Sequence, residues 1–309
     1  MCHNVSRILF CYSDQGSTCP YRCILDNDEL AVVKYLNNPA GNLTLINEYI
    51  SYNIAKELNL SVPKCGLCSI SKETEVDKSV ADSQFSPTVD NFGLAFYSKY
   101  VQKTAVLMHG LISSIANLDQ FIKMVVFDHI IYNKDRNKGD ILIDISLPKI
   151  SMVLIDHTHV FKNQTIWDRY TFQQGIAAND YEDTIILEYN SDVYNYFWEH
   201  ISFDEAKIFS LAEEYKRKLT PECIHSIIQS LPSDWSSLIN PLDLDALEEY
   251  IDYRVANLDN ICEMICRIVK HIGQSSFQEV EGRKITERPH RDRIGAAKMD
   301  SKLRREILE

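Results

Sequence analysis

Between residues 127 and 161 the sequence reads FDHIIYNKDRNKGDILIDISLPKISMVLIDHTHVF. An apolar helix end runs into a charged loop. The loop leads into two short apolar runs separated by turn residues around Pro148. That pattern predicts a β-hairpin. Three carboxylates punctuate it: Asp135 in the loop, Asp140 where the first strand begins and Asp156 where the second ends. A turn centred on Pro148 sets Asp140 opposite Asp156, and directly opposed residues hold their Cβ atoms roughly 4.5–5.5 Å apart. Opposed like charges destabilise a sheet, so the pair calls for a compensating cation. Mg²⁺, which takes one or two carboxylates together with substrate phosphates, answers that demand. A register shifted by one residue would put the two side chains on opposite faces.

Upstream, short apolar runs alternate with turn residues. SRILFCY, YRCILD and ELAVVKY read as strands, the first two joined by SDQGSTCP and the last two by Asp26-Asn27-Asp28. Apolar positions 43, 46, 50, 54 and 58 then follow a helical period. SVPKCGLCSI and FGLAFYSKYV return to strand character, and the polar stretch 72–91 between them reads as a mobile insertion or hairpin loop. The remainder is mostly helical. Residues 111–132 form one apolar helix or two short ones. Ser202 to Glu205 reads as a capping box opening a helix to about Leu219. Thr220-Pro221 supplies the cap and first position of the next helix. From Leu244 to Val269 apolar residues form a long amphipathic stripe, a core-packing signature.

Charge and cysteine usage narrow the class. The chain of 309 residues carries a formal net charge of −12, against general nucleic-acid binding. The charge is uneven: nine Lys/Arg against five Asp/Glu from Arg283 to Glu309 make that tail +4 and leave −16 for the rest. The tail, from residue 273, is polar and basic and is expected to be flexible. No apolar run is long enough to cross a bilayer. The start, MCHNVSRILFCYSDQ, lacks a secretory apolar core, which predicts a cytoplasmic protein. The nine cysteines are then expected to be reduced thiols. Cys65 and Cys68 fall on opposite faces of a strand, against a shared metal or redox pair. His157 and His159 share a face if the strand continues, open to packing or to a metal. Lys134 and Arg136 can meet phosphate or simply face solvent.

Taken in order, GSTCP before a strand, VVKY, NLTLINEYISYNIAKELNLSVP, YNKDRNKGDILI and LIDHTHVF resemble the HipA-like serine/threonine kinases. More distantly they resemble phosphatidylinositol-kinase-like folds. The resemblance covers roughly residues 10–270, and the SDW stretch with the final long helix fits it. It implies an α+β, bilobal protein-kinase-like fold. A mixed α/β nucleotide-binding lobe would span 1–103 and a mostly helical catalytic lobe 104–272. The implied reaction is transfer of the γ-phosphate of ATP to a Ser/Thr hydroxyl of a protein, with Mg²⁺, or Mn²⁺, as the metal. Autophosphorylation is also implied.

The same resemblance implies the site. Lys34, at a strand end, reaches the ATP phosphates. Glu48, about 200° around the helix from Ile46 and so off the apolar stripe, pairs with Lys34. Gly16, Ser17 and Thr18 form a turn that offers N–H groups and hydroxyls to phosphate, with Ser17 or Thr18 as a self-inhibitory phosphorylation site. Asp135 is the catalytic aspartate, and Asp140 and Asp156 are the metal ligands. Asp140 departs from the family pattern, which places asparagine five residues after the catalytic aspartate. The added charge raises metal affinity, shifts preference toward Mn²⁺ or reduces activity. Asn137 also departs from the histidine common in that loop. Two other readings remain: a pseudokinase that binds nucleotide or a partner, and a kinase acting on a small molecule or lipid headgroup. Nothing names the protein substrate. Any antitoxin-like DNA-binding partner would be a separate chain.

Overall fold

The structure is a computed structural model that describes residues 2–13, 17–146, 148–198, 200–202 and 204–279. The basic tail from Arg283 and Gly16 of the proposed phosphate turn lie outside the described residues. The chain divides into two units, residues 1–266 and 267–309.

The first hundred residues build a sheet that closes on itself. Its strands are β1 (His3–Cys11), β2 (Tyr21–Leu25), β3 (Leu30–Lys34), β4 (Cys65–Ile70), β5 (Glu75–Val76) and β6 (Gly93–Lys99). The order is β2-β3-β6-β4-β1-β5, and β1 also pairs with β2. β1 runs antiparallel to β2 from Val5 to Cys11 and meets β4 only at His3 and Asn4. Two irregularities in the β1–β2 register supply the bend that this double pairing needs. Alternate side chains of β2 and β3 fill the interior, Tyr21, Cys23 and Leu25 with Ala31 and Val33, and β1 adds every third residue, Val5, Ile8 and Cys11, across its register irregularities. Cys68 is buried with them while Cys65 is half-exposed, as their spacing predicts.

One expectation changes here. Residues 72–91 are not a bare loop. They supply β5, parallel to β1 at Arg7 and Ile8, and a helical turn, α2 (Lys78–Ala81), following α1 (Leu43–Glu57) in chain order. Buried Val80 and partly buried Phe85 pack against the interior, and the Tyr21 hydroxyl donates to the Phe85 carbonyl at 2.7 Å. Two apolar side chains in a polar run are what tie it down.

Beyond β6 the chain is mainly helical. α3 (His109–Ile112), α4 (Gln120–Ile130), α5 (Arg169–Ala177), α6 (Ile185–Tyr189), α7 (Ser191–Trp198), α8 (Glu205–Lys218), α9 (Pro221–Gln229), α10 (Ser233–Ser236), α11 (Pro241–Ala256) and α12 (Leu258–Glu279) follow in order. A small antiparallel sheet interrupts them, β7 (Thr104–Ala105), β8 (Ile141–Asp144) and β9 (Ser151–Leu154), in the order β7-β8-β9. The apolar stripe from Leu244 is two helices rather than one, since α11 ends at Ala256 with Asn257 as its cap and α12 begins at Leu258. The cap of α8 is Asp204, whose carboxylate accepts the Ala206 N–H, not Ser202. Among the described residues no helix is long and apolar enough to cross a membrane. Thr220 caps α9 by accepting the Cys223 N–H at 3.3 Å, with Pro221 at the first helical position. Thr220→Ala is expected to lower stability by about 1 kcal/mol, read as a lower urea midpoint with unchanged slope.

Candidate active site

The hairpin register differs from a turn centred on Pro148. β8 and β9 pair Ile141 with Leu154 and Asp144 with Ser151, so the turn centre falls between residues 147 and 148. Asp140 therefore lies opposite Ile155, whose N–H donates to the Asp140 carbonyl at 2.9 Å. Strand pairing alone would send Asp156 to the other face. It does not, because β9 ends at Leu154 and Asp156 takes a left-handed backbone, φ 57°. That conformation is uncommon outside glycine and best tolerated by Asp and Asn. It turns the carboxylate back toward Asp140 and toward Lys34.

Lys34 is the hub. It closes β3, and its ammonium donates to Glu48 Oε1, to Asp156 Oδ1 at 2.8 Å and to Thr158 Oγ1. Glu48 lies on α1, which packs between β6 and the segment near Gln164–Ile166. Both faces of that helix are therefore covered, and Glu48 is 5% exposed instead of solvated. Glu48 Oε1 also accepts the His157 N–H at 2.9 Å and the Thr158 hydroxyl at 2.8 Å. Burial would lower the Lys34 pKa, but the Asp156 and Glu48 carboxylates outweigh it and hold the ammonium above the ordinary lysine value. Burial would raise Asp156, yet Lys34 holds it well below the usual carboxylate range. Glu48 rises, through burial, with the Lys34 charge opposing. The Asp156 side chain stays 43% exposed, as a group lining a recess would be.

Asp140 is 7% exposed, and its Oδ2 accepts the Asn137 N–H at 2.8 Å and the Asn137 side-chain amide at 2.7 Å. Burial first, then the neighbouring Asp156 charge, pushes its carboxyl well above the ordinary range, with Arg136 opposing. The Asp156 charge works against ionisation of Asp140, and a cation held between the two carboxylates would favour it. An oxygen-only donor pair of this kind fits Mg²⁺ or Mn²⁺, with phosphates completing the shell. Among the described residues no group of three His, Cys, Asp or Glu side chains converges as a metal cluster, so such a site would depend on its substrate for further ligands. Asp135 is exposed in the loop, its N–H donating to Asn133 Oδ1 at 2.9 Å. Its charge also reaches Asp140.

Other predicted residues fall differently. Thr18 is 4% exposed, whereas Ser17 is exposed and its hydroxyl lies 2.7 Å from His159 Nε2. His159 thus faces the Ser17 turn. His157 is buried edge-on against Phe127, 5.4 Å between ring centroids, and burial holds it neutral, its pKa well below the usual value. The two histidines do not act as a pair. Arg136 meets neither phosphate nor solvent. It is fully buried and donates to Asp128 through Nε at 3.2 Å and Nη2 at 2.7 Å, and to the Ile155 carbonyl through Nη1 at 3.1 Å. In the segment WDRYTFQQG, Trp167, Phe172 and Gly175 are buried and Tyr170, Gln173 and Gln174 are exposed. The Trp167 indole N–H donates to Asn47 Oδ1 at 2.8 Å, and α5 packs on α11.

Three contributors escaped the sequence. Thr158 joins Lys34 to Glu48. Asn47, buried beside Glu48, donates to the Thr158 carbonyl at 2.7 Å and so fastens the segment after Asp156 to α1. Asp128 is a lone acid in the apolar run IKMVVFDHII, and that isolation was the available signal.

A family model described as HipA-like kinase matches residues 5–263. Among solved structures, a Helicobacter pylori proinflammatory kinase, CtkA, superposes with a TM-score of 0.51 at 13% identity, covering 87% of this chain and 99% of that one. The Golgi casein kinase with Mn/ADP bound gives a TM-score of 0.51 at 11% identity, covering 85% and 73%. At such identities these two likenesses are of fold. No curated protein matches in sequence.

Proposed function

Since this chain belongs to the HipA-like kinase family, we propose that it transfers the γ-phosphate of ATP to a Ser or Thr hydroxyl of a protein. The observation that carries this reading is the Lys34–Glu48–Asp156 constellation, a buried ion pair with a half-exposed second carboxylate, which joins a strand, a helix and the loop after β9 at one ammonium group. Phosphoryl transfer asks a protein mainly for positioning and charge neutralisation. Lys34 would exchange its Asp156 contact for the triphosphate while Glu48 keeps it oriented. Asp140 and Asp156 would hold Mg²⁺ or Mn²⁺; when bound, the metal neutralises charge on the phosphates. Asp135 would accept or orient the proton of the attacking hydroxyl. The strand-rich first hundred residues would be the nucleotide-binding lobe and the helical remainder the catalytic lobe. Ser17, the exposed hydroxyl of the turn, is the better candidate for autophosphorylation; buried Thr18 is not presented to a second active site.

The test is phosphate transfer from γ-labelled ATP, with Mg²⁺ and with Mn²⁺, into the protein itself and into a cell extract. Asp135→Ala is expected to reduce labelling at least about 100-fold without loss of nucleotide binding by calorimetry. Equal labelling by both proteins would reject this site. Nucleotide binding without transfer under either metal would instead favour a pseudokinase.

A further inference from the structure

The backbone on either side of Asp135 is gripped from a helix junction far along the chain. Asn190 stands between α6 and α7 and is fully buried. Its side-chain Nδ2 donates to the Asn133 carbonyl at 2.8 Å, and its Oδ1 accepts the Arg136 N–H at 3.0 Å. Only Lys134 and Asp135 lie between these two points. One primary amide thus satisfies a carbonyl and an N–H of an irregular loop that no helix or sheet satisfies. Aspartate could accept at this position but not donate, and leucine could do neither. The amide orientation follows from the same bonds, because a flip would set donor against donor and acceptor against acceptor. Nδ2 also donates to the Tyr194 hydroxyl at 3.1 Å, which donates in turn to Asp128 Oδ2 at 2.9 Å.

Asn190 is itself held rigidly. Its N–H donates to the Ile186 carbonyl at 3.1 Å, and its carbonyl accepts the N–H groups of Val193 at 3.0 Å and Tyr194 at 2.9 Å. Its backbone therefore belongs to both helices, and its side chain starts from a fixed point. Buried polar groups aimed at a loop backbone are costly to leave unmet, yet core packing alone would not require both a donor and an acceptor here. We infer that Asn190 is a positioning residue for phosphoryl transfer, clamping the chain on both sides of Asp135 and so fixing where that carboxylate meets the attacking hydroxyl. The role in transfer rests on the kinase reading above; the clamp itself does not.

The test uses the full chain and three variants: Asn190→Ala, Asn190→Asp and Ile186→Ala. Ile186, on α6 and fully buried, is a packing control that makes no side-chain bond to the loop. Four quantities are read: kcat and KM for ATP turnover, the thermal midpoint, and hydrogen exchange at the Arg136 amide. Both Asn190 variants are expected to lower kcat about 100-fold, the scale of a small misplacement of a reacting group, with KM for ATP nearly unchanged. Asn190→Ala should also speed exchange at the Arg136 amide by about tenfold or more. Ile186→Ala should lower the thermal midpoint at least as much, with kcat near wild type and the amide still protected. If kcat instead falls in step with the thermal midpoint across all three, Asn190 is structural only and the inference fails. Wild-type protection of the Arg136 amide in Asn190→Ala would also overturn it. Should Asn190→Ala not fold, the isosteric Asn190→Asp carries the kinetic comparison. It keeps the acceptor for Arg136 and loses the donor to Asn133, so exchange is then read at the residues flanking Asn133. Should wild type transfer no phosphate at all, the kinase reading fails, while the exchange measurement still decides the clamp.

Discussion

Lys34→Met is expected to lower stability by roughly 3–5 kcal/mol, the cost of stripping one partner from a buried ion pair, and to abolish phosphate transfer. The Lys34 side chain is 10% exposed and that of Glu48 6%, so the carboxylate left behind cannot be rescued by water. Burial already lifts Glu48 against the opposition of Lys34; without the ammonium that opposition is gone. Adding Glu48→Gln to Lys34→Met removes the stranded acid. The new amide oxygen still accepts the His157 N–H and the Thr158 hydroxyl, the bonds that Glu48 Oε1 accepts now. The double variant should therefore recover part of the lost stability while transfer stays absent. A double-mutant cycle by urea unfolding measures the coupling. Strict additivity would mean that the two side chains do not act as a pair. Recovery of transfer in the double variant would mean that Lys34 has no role toward phosphate.

How much of this was legible in the sequence depends on whether a pattern is local. Most strands of the closed sheet were readable as short apolar runs between turn residues, with alternation between interior and surface plain in β2 and β3, but two-residue β5 was not. The helix carrying Glu48 was also readable, and the angle between Ile46 and Glu48 took the glutamate off the apolar stripe. That it is buried could not be read, since the cover on that side comes from residues more than a hundred positions later, Thr158 and His157 among them. The hairpin shows a different limit. Pro148 suggested a centre of symmetry, but the pairing of Asp144 with Ser151 moves that centre by half a residue, enough to change which side chains oppose. Asp140 and Asp156 are neighbours anyway, because the left-handed turn at Asp156 undoes the shift. β7 was invisible for a simpler reason. Two residues have no period, and their pairing with β8 at Asp144 and Ile143 is set by the fold around them.

The departure at position 140 can also be understood from its surroundings. Burial first, and then the Asp156 charge, lifts the Asp140 carboxyl, so an aspartate at this position carries a cost that a neutral asparagine would not. Arg136 is the nearby cation that opposes the lift, but its guanidinium is already bonded to Asp128. The compensation is thus incomplete within the protein, which is why a bound divalent cation suits this version of the site. It also ties the behaviour of Asp140 to the integrity of the Asp128–Arg136 pair.

That pair carries the second large effect. Asp128→Ala is expected to cost about 3–5 kcal/mol, a large share of the roughly 5–15 kcal/mol that holds a typical domain together. The Asp128 carboxylate is fully buried and accepts from Arg136 Nε and Nη2, from Asn133 Nδ2 at 3.0 Å and from the Tyr194 hydroxyl at 2.9 Å. Alanine would leave a guanidinium in the interior without its counter-charge. The damage would extend past stability. Asn133 and Arg136 bracket Asp135, and Arg136 also holds the Ile155 carbonyl, the residue before Asp156. Both loops that carry the proposed chemistry are thus bonded to this one ion pair. An apolar replacement of both partners, Asp128→Leu with Arg136→Met, separates the two consequences, because a buried pair exchanged for well-packed apolar groups is often neutral in stability. The double variant should regain most of the urea midpoint lost by Asp128→Ala, yet ATP turnover should stay low, since the guanidinium bond from the Asp135 loop to the Ile155 carbonyl is then gone. If turnover returned along with stability, the pair would be a packing element only. If Asp128→Ala lay within about 1 kcal/mol of wild type, against the roughly 3–5 kcal/mol expected, the buried guanidinium must have found another partner and the loops another anchor.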